Sequence, residues 1–210
     1  NRFNIGWCCG DEDDVGFILE LIDKIIHDRR ADVGRVYVTG WSNGCYMSNE
    51  LASVASHKVA AVACMAGYTD EPLATNYSAI PVMEIHGIAD QIVPYGSSFT
   101  TGVLLEGTLE GDEGAIQNMY WWADANGCPG SAPDIETVEW DYTVMRFSGC
   151  TNGADVVLVT MNYAQHNPYI NDYDGTDSPF YQAILTGNPT GIDASQMAWD
   201  FLSQHSKSVE

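Results

Sequence analysis

Basic residues are scarce in this sequence. Eight lysines and arginines stand against 29 aspartates and glutamates among 210 residues, giving a formal net charge of −21 at pH 7. Nucleic acids and anionic membrane surfaces would repel such a chain, so we expect neither as a partner. The charge fits a protein that acts on neutral substrates or works in a salty medium.

Other features are missing as well. No apolar run reaches 18 residues, so the sequence predicts no membrane-spanning helix. The six cysteines lack the paired C-x-x-C spacing of a zinc site. No signal-peptide pattern opens the chain, which starts at Asn1 rather than at methionine. We therefore expect a mature or trimmed form.

The cysteines and a sequon indicate an oxidising compartment. An even number of cysteines, with Cys128 and Cys150 in loop-like contexts, is typical of disulfides. Asn76-Tyr77-Ser78 is an N-glycosylation sequon in a predicted loop. We expect a secreted, extracellular glycoprotein. The sequence leaves open how the other four cysteines pair: Cys8, Cys9, Cys45 and Cys64.

Length and periodicity predict one α/β domain over residues 1–210. A 45% hydrophobic chain of this length can bury a substantial core. Alternating strand and helix patterns predict a mostly parallel sheet with helices on both faces. The predicted strands are 36–39, 59–66, 81–86, 142–147 and 156–161, and the predicted helices are 15–30, 43–54, 115–125 and 192–205. Segments 102–114 and 167–190 are predicted surface excursions.

The stretch Gly40-Trp41-Ser42-Asn43-Gly44 fits G-x-S-x-G between a predicted strand and a predicted helix. This context is that of a nucleophile elbow, a sharp turn that exposes the serine hydroxyl above the strand ends. We expect glycine to be required at both flanks, because the strand and helix approach closely. The Asn43 N–H at the helix start would face an oxyanion formed there.

A serine nucleophile needs a histidine base and a carboxylate that orients it. Asp90 follows one predicted strand and His166 follows a later one, so the chain order is Ser42, Asp90, His166. That is the order of α/β-hydrolases. The alternatives are weaker: His86 precedes the acid and reads as a structural, hydrogen-bonding histidine, and Asp155 lies at the wrong strand end. His27, His57 and His205 lie on helices or near charged neighbours.

Linked motifs resemble the secreted polyhydroxybutyrate depolymerase and feruloyl/acetyl esterase group of the α/β-hydrolases. They are Asp13-Asp14-Val-Gly-Phe17-Ile, the elbow with its strand, His86-Gly-Ile-Ala-Asp90-Gln-Ile-Val-Pro-Tyr95, Gly6-Trp-Cys8-Cys9-Gly and Trp122-Ala-Asp-Ala-Asn126-Gly-Cys128. The likeness covers the chain from Gly6 to about His166 and the closing helix. The segment around His166 departs from the group, since Tyr163-Ala-Gln precede it and Asn167-Pro168 follow.

The resemblance implies a serine carboxylesterase with Ser42 as nucleophile, Asp90 as acid and His166 as base. It also implies a Cys128–Cys150 bridge. Trp41 is a candidate to stack on a ring or line an acyl pocket, with core packing the alternative, and Tyr95 is a candidate to border the cleft. We expect no cofactor and no metal; the acidic segment 171–177 lacks the full spacing of a calcium loop.

Members of the group carry additional strands upstream, with a His-Gly loop that supplies a second oxyanion donor. This chain has 41 residues before Ser42 and nothing like that loop. The elbow strand would then present an unpaired edge. We expect an upstream segment, a second chain or a partner to complete the sheet.

The sequence thus predicts a serine esterase for neutral esters, with feruloyl or acetyl polysaccharide esters and polyhydroxyalkanoate-type polyesters as candidate substrates. The alternative is a non-catalytic hydrolase-fold module that serves binding or assembly in a larger extracellular protein.

Overall fold

The computed structural model describes residues 2–6, 8–29, 31–69, 73–96, 114–170 and 191–208. Within them, one sheet contains six strands in the spatial order β1-β2-β3-β6-β5-β4. The strands are β1 Tyr37–Val38, β2 Ala61–Met65, β3 Val82–Gly87, β4 Asp134–Val138, β5 Tyr142–Phe147 and β6 Val156–Met161. Most of the predicted surface segments 102–114 and 167–190, and the 171–177 loop, lie outside the described residues.

The sheet is mixed. Strands β1, β2, β3 and β6 run parallel, whereas β5 and β4 run antiparallel at one edge. Strands β2, β3, β5 and β6 lie where the sequence predicts strands. The residues of β2, β3 and β6 are buried, whereas buried and half-buried residues alternate along β5. The sequence did not predict β4, since two of its five residues are acidic and its side chains are mostly exposed.

The described residues contain four α-helices: α1 Asp14–Arg29, α2 Asn43–Val54, α3 Ala115–Ala125 and α4 Ala194–Leu202. Local capping explains two of the helix starts. The Asp13 carboxylate accepts from the Gly16 N–H, and the Asp193 carboxylate accepts from the Ser195 and Gln196 N–H groups. Among the described residues, no helix combines the length and apolarity needed to cross a bilayer.

Two apolar cores lie on opposite faces of the sheet. One joins α2 and α3 to the sheet and contains Trp122, and the other places Phe201 and Leu202 of α4 against β2 and β3. Burial of this kind contributes roughly 25 cal/mol per Å² of apolar surface. The predicted mostly parallel sheet with helices on both faces is confirmed.

Disulfides tie helices and loops to this frame. Cys45 in α2 is bonded to Cys64 in β2, and both are buried, so the bridge anchors the start of α2 to the sheet. The Cys128–Cys150 bridge implied by the family resemblance is present. The neighbouring residues Cys8 and Cys9 form the third pair.

The β1 edge is unusual because it is both short and open. Within the described residues, β1 pairs only with β2 and has no strand on its outer side. Nearby α1 buries none of its side chains, and its apolar stripe of Phe17, Leu21 and Ile25 is 63%, 42% and 44% exposed. No described residue supplies the expected neighbouring strands, so that expectation stays a prediction.

Candidate active site

The turn after β1 has the backbone of a nucleophile elbow. Ser42 has φ +54° and ψ −120°, a conformation that costs a non-glycine residue free energy. Hydrogen bonds hold it in place: the Ser42 N–H donates to the Met65 carbonyl at 2.9 Å, and the Cys45 N–H donates to the Ser42 carbonyl at 2.8 Å. The serine is therefore fixed between the end of β2 and the first turn of α2.

Glycine is needed at one flank of the elbow. A Cβ atom at Gly40 would lie 2.2 Å from the Gly44 carbonyl oxygen, a backbone atom that cannot move aside. A Cβ atom at Gly44 would meet nothing within 4 Å. The expectation that glycine is required at both flanks is therefore wrong for Gly44.

The three predicted triad side chains meet at the ends of three different elements. Nε2 of His166 lies 2.8 Å from the Ser42 Oγ, and Nδ1 of His166 lies 2.7 Å from Oδ2 of Asp90. The imidazole is 3% exposed and the aspartate 6% exposed. A hydroxyl, a ring and a carboxylate thus form a continuous chain of hydrogen bonds that is largely shielded from water.

The Asp90 carboxylate is held from both sides. Its Oδ1 accepts from the N–H groups of Ile92 and Val93, each at 2.8 Å, while Oδ2 faces His166. Burial favours the neutral acid, but the hydrogen bond from His166 and the charges of His166 and His86 outweigh it and lower the pKa of Asp90 to about 2. The carboxylate is therefore ionised at neutral pH.

The loop that carries His166 is fitted against the loop that carries Asp90. The Ala89 N–H donates to the Ala164 carbonyl at 3.0 Å, and the Ile88 N–H donates to the Met161 carbonyl at 3.1 Å. A Cβ at Gly87 would lie 2.4 Å from the Ala164 oxygen, so only glycine allows this approach. These contacts fix the imidazole relative to its carboxylate.

Asn43 and Trp41 flank the serine. The peptide N–H of Asn43 stands at the first position of α2, where helical N–H groups have no intrahelical acceptor. Its side chain is engaged elsewhere, since Oδ1 accepts from the Phe3 N–H at 2.7 Å. The Trp41 ring packs on the His166 ring with centroids 5.2 Å apart.

Tyr95 does not border an open cleft. Its ring is 1% exposed within the first apolar core, and its hydroxyl is 2.6 Å from the Thr160 Oγ1. The prediction that Tyr95 borders the cleft is therefore corrected. The ring lies under the acid loop because the chain turns inward after Pro94 and buries it against β6.

The alternative candidates lie elsewhere. His27 is exposed and contacts Asp28, and His57 is exposed. His205 packs edge-on against Phe201. Asp155 lies just before β6, at the other end of the sheet from His166, and it pairs with Arg146.

Only part of a buried polar cluster beside the triad could be predicted from the sequence. His86 was predicted to be a structural, hydrogen-bonding histidine, and its Nδ1 lies 2.7 Å from Glu84 Oε1. Asn118 on α3 donates to the other Glu84 oxygen at 2.6 Å. An acidic residue within a strand that is otherwise apolar is the signal that points to such a cluster, because a buried carboxylate needs partners. The described residues contain no group of three or more potential metal ligands.

Comparisons with known proteins find similarity to feruloyl esterases. The chain is 29% identical over 169 residues to feruloyl esterase B of Piromyces equi, and 26% identical over 203 residues to feruloyl esterase D of Neurospora crassa. The alignments cover 78% and 96% of this chain. The chain is thus similar to feruloyl esterases over most of its length. No protein-family model matches it.

The chain spans less than two thirds of those relatives, namely 31% of the Piromyces protein and 59% of the Neurospora protein. Among solved structures, acetyl xylan esterase from Aspergillus awamori is similar at a TM-score of 0.49 and 18% identity, over 72% of this chain and 61% of that one. The predicted resemblance to feruloyl esterases is confirmed. The predicted resemblance to polyhydroxybutyrate depolymerases stays a prediction.

Proposed function

We propose that this α/β-hydrolase is a serine carboxylesterase in which Ser42, His166 and Asp90 perform acyl transfer. The observation that carries the proposal is the unbroken hydrogen-bonded chain from Ser42 Oγ through both nitrogens of His166 to Asp90. A serine hydroxyl is a poor nucleophile alone, and this arrangement supplies the base and the orienting carboxylate that it lacks.

The reaction proceeds in two steps. Ser42 Oγ attacks the ester carbonyl while Nε2 of His166 takes its proton, and His166 then returns that proton to the leaving alcohol. Water attacks the acyl-enzyme in the second step, with His166 again as base, and Ser42 is regenerated as the carboxylic acid departs. The ionised Asp90 holds the Nδ1–H tautomer of His166 and stabilises the imidazolium in both steps.

We place the binding site for the oxyanion at the start of α2. The Asn43 N–H is the proposed donor, and the positive end of the helix dipole supports negative charge there. A second donor belongs to polypeptide beyond the described residues; the loss of such a donor typically costs about 2.7–4 kcal/mol of transition-state stabilisation.

Further polypeptide is proposed to cover the open edge. Among the described residues, β1 has no strand on its outer side and the apolar stripe of α1 is exposed. An upstream segment that pairs with β1 and covers Phe17, Leu21 and Ile25 is the occupant we propose. The shorter span of this chain relative to its relatives supports that choice.

The proposed substrates are neutral esters, foremost feruloyl esters of polysaccharides. The relatives are named feruloyl esterases, and a net charge of −21 disfavours strongly anionic substrates. Trp41, which packs on His166, is the proposed wall for an aromatic acyl group. A secreted location is supported by the disulfides and by the exposed Asn76 in its turn.

Hydrolysis of methyl ferulate, p-nitrophenyl acetate and a soluble 3-hydroxybutyrate oligomer tests the proposal. We expect the wild type to prefer methyl ferulate and the Ser42→Ala variant to lose about 10³-fold or more of kcat. Ser195→Ala, which alters an exposed serine on α4, is the matched control and keeps full activity. Activity retained by Ser42→Ala overturns the mechanism, and a folded wild type without activity favours the binding-module alternative. Preference for the oligomer identifies a polyester hydrolase.

A further inference from the structure

A second polar chain leads to the Asp90 carboxylate. It runs from Asn118 on α3 through Glu84 to His86, both of which lie on β3. The side chains are 4%, 3% and 0% exposed, respectively. Buried groups of this kind cost free energy unless they are fully paired, so such a chain requires an explanation beyond core packing.

The proton on Nε2 of His86 follows from its neighbours. Nε2 lies 2.9 Å from the Val93 carbonyl oxygen, which can only accept, so this nitrogen is a donor. The same nitrogen lies 3.5 Å from Oδ2 of Asp90. That distance is too long for a good hydrogen bond, and the contact acts through charge.

The state of Nδ1 follows from Glu84. Its Oε1 lies 2.7 Å from Nδ1, while its Oε2 accepts from the Asn118 amide. The Nδ1–Oε1 contact holds one proton, which lies on Nδ1 when Glu84 is ionised. Burial raises the pKa of Glu84, whereas the contacts of its carboxylate with His86 and Asn118 oppose that rise. With Glu84 ionised, each nitrogen of His86 carries a proton and the ring is an imidazolium between Glu84 and Asp90.

We propose that His86 is a positioning residue for the esterase reaction: held by Glu84, its cationic ring fixes the turn that carries Asp90 and keeps that carboxylate aimed at His166. Asp90 is then shared by two imidazole rings, one catalytic and one structural. The inference rests on the proposed function for its kinetic test alone.

The surroundings of His86 agree with a cation. The uncharged rings of Tyr68 and Tyr95 contact it with centroids 6.0 and 5.7 Å away, and Thr160 is its register partner on β6. Glu84 and Asp90 are the charged side chains that face it among the described residues. Burial alone would lower the pKa of His86, but these two carboxylates outweigh it and raise the pKa to about 9.

A cation at His86 has a kinetic consequence that mere packing lacks. One positive charge beside the carboxylate that faces both rings disfavours a second positive charge there. Loss of the His86 charge is therefore expected to move the acidic limb of kcat/KM to higher pH.

The test compares His86→Gln with Thr160→Val in p-nitrophenyl acetate hydrolysis over pH 4.5–9 (roughly the working range of a histidine base). Thr160→Val is the matched control, since it removes a buried hydrogen bond from the sheet position beside His86 without changing charge. We expect His86→Gln to lower kcat about tenfold and raise the acidic midpoint by roughly half a pH unit or more. Thr160→Val should leave that midpoint unchanged. An unmoved midpoint in His86→Gln, or an equal shift in both variants, overturns the proposal.

An NMR spectrum of the wild type tests the proposal even if His86→Gln fails to fold. In protein labelled with ¹⁵N-histidine, we expect one of the five histidines to show protons on both ring nitrogens at pH 7.5. A neutral ring at His86, protonated on Nε2 alone, overturns the proposal. This measurement needs no substrate, so it still decides the charge on His86 if the wild type hydrolyses no ester and the proposed function fails.

Discussion

Nε2 of His166 lies 2.8 Å from Oγ of Ser42, across a separation of 124 residues in the chain. Topology explains the meeting. Strands β1, β3 and β6 run parallel in one sheet, so the segments that follow them emerge at the same edge. Ligand and catalytic groups of open α/β sheets gather at that edge. The following predictions test what this geometry implies.

Replacement of Asp90 by asparagine should lower kcat by about 10³-fold or more while KM changes little. The amide keeps an oxygen for the Ile92 and Val93 N–H groups but offers His166 a neutral partner, which permits the wrong tautomer. Steady-state hydrolysis of p-nitrophenyl acetate measures the effect. Asp141→Asn is the matched control because Asp141 is also buried yet contacts Gly191 instead. Equal losses in both variants would contradict a specific role for Asp90.

Alanine at Gly40 and at Gly44 should have opposite consequences for stability. Gly40→Ala places a Cβ 2.2 Å from a backbone oxygen and should lower the free energy of unfolding by more than about 2 kcal/mol. Gly44→Ala meets open space in α2, where alanine is favoured over glycine by up to about 1 kcal/mol. Urea unfolding of both variants measures these changes in the free energy of unfolding. Similar losses at the two positions would show that the elbow needs glycine for another reason.

Stability should fall between neutral and alkaline pH because of His86. Its pKa is raised to about 9 from an ordinary value of 6.5, so its contribution is complete below pH 6.5 and lost as pH rises through 9. The expected loss is on the order of 3 kcal/mol. Urea unfolding at pH 6 and pH 9.5 measures it, and the difference between wild type and His86→Gln separates His86 and its partners Glu84 and Asp90 from titrating groups elsewhere. The same pH dependence in both proteins would show that His86 does not cause the loss of stability.

The exposed stripe of α1 offers a test of the proposed upstream segment. Phe17 is 63% exposed in the described structure, so Phe17→Ser should change stability by less than about 0.5 kcal/mol if the face is bare. If a further segment covers it, the same change should cost about 2 kcal/mol. Val138→Ser, at a residue that is 71% exposed on β4 at the far edge, is the control. A small effect at Phe17 in the native protein would contradict the covered-edge proposal.

Strong local patterns predicted much of the fold. The bounds of α2, α3, β5 and β6 match the expected ranges because each has an uninterrupted period and a clear boundary. Strand β4 was not predicted because its exposed, acidic residues resemble those of a loop. Its pairing with β5 makes it a strand.

The candidate site was predictable for a different reason. Ser42, Asp90 and His166 each follow a predicted strand, so a parallel sheet brings them to one edge whatever the details of packing. Tyr95 could not be placed in this way, since the direction of a side chain within a loop depends on long-range contacts such as the one with Thr160. The engagement of Asn118 with Glu84 likewise joins residues whose proximity only the folded chain reveals.

The most direct test of the central claim is the site at which a fluorophosphonate reacts. In the proposed mechanism the relay from Asp90 through His166 activates one serine, so peptide mapping by mass spectrometry should find a single adduct on Ser42. The adduct should be absent in Ser42→Ala and form more slowly in His166→Asn. An adduct on another residue, or none on the folded wild type, would contradict the account.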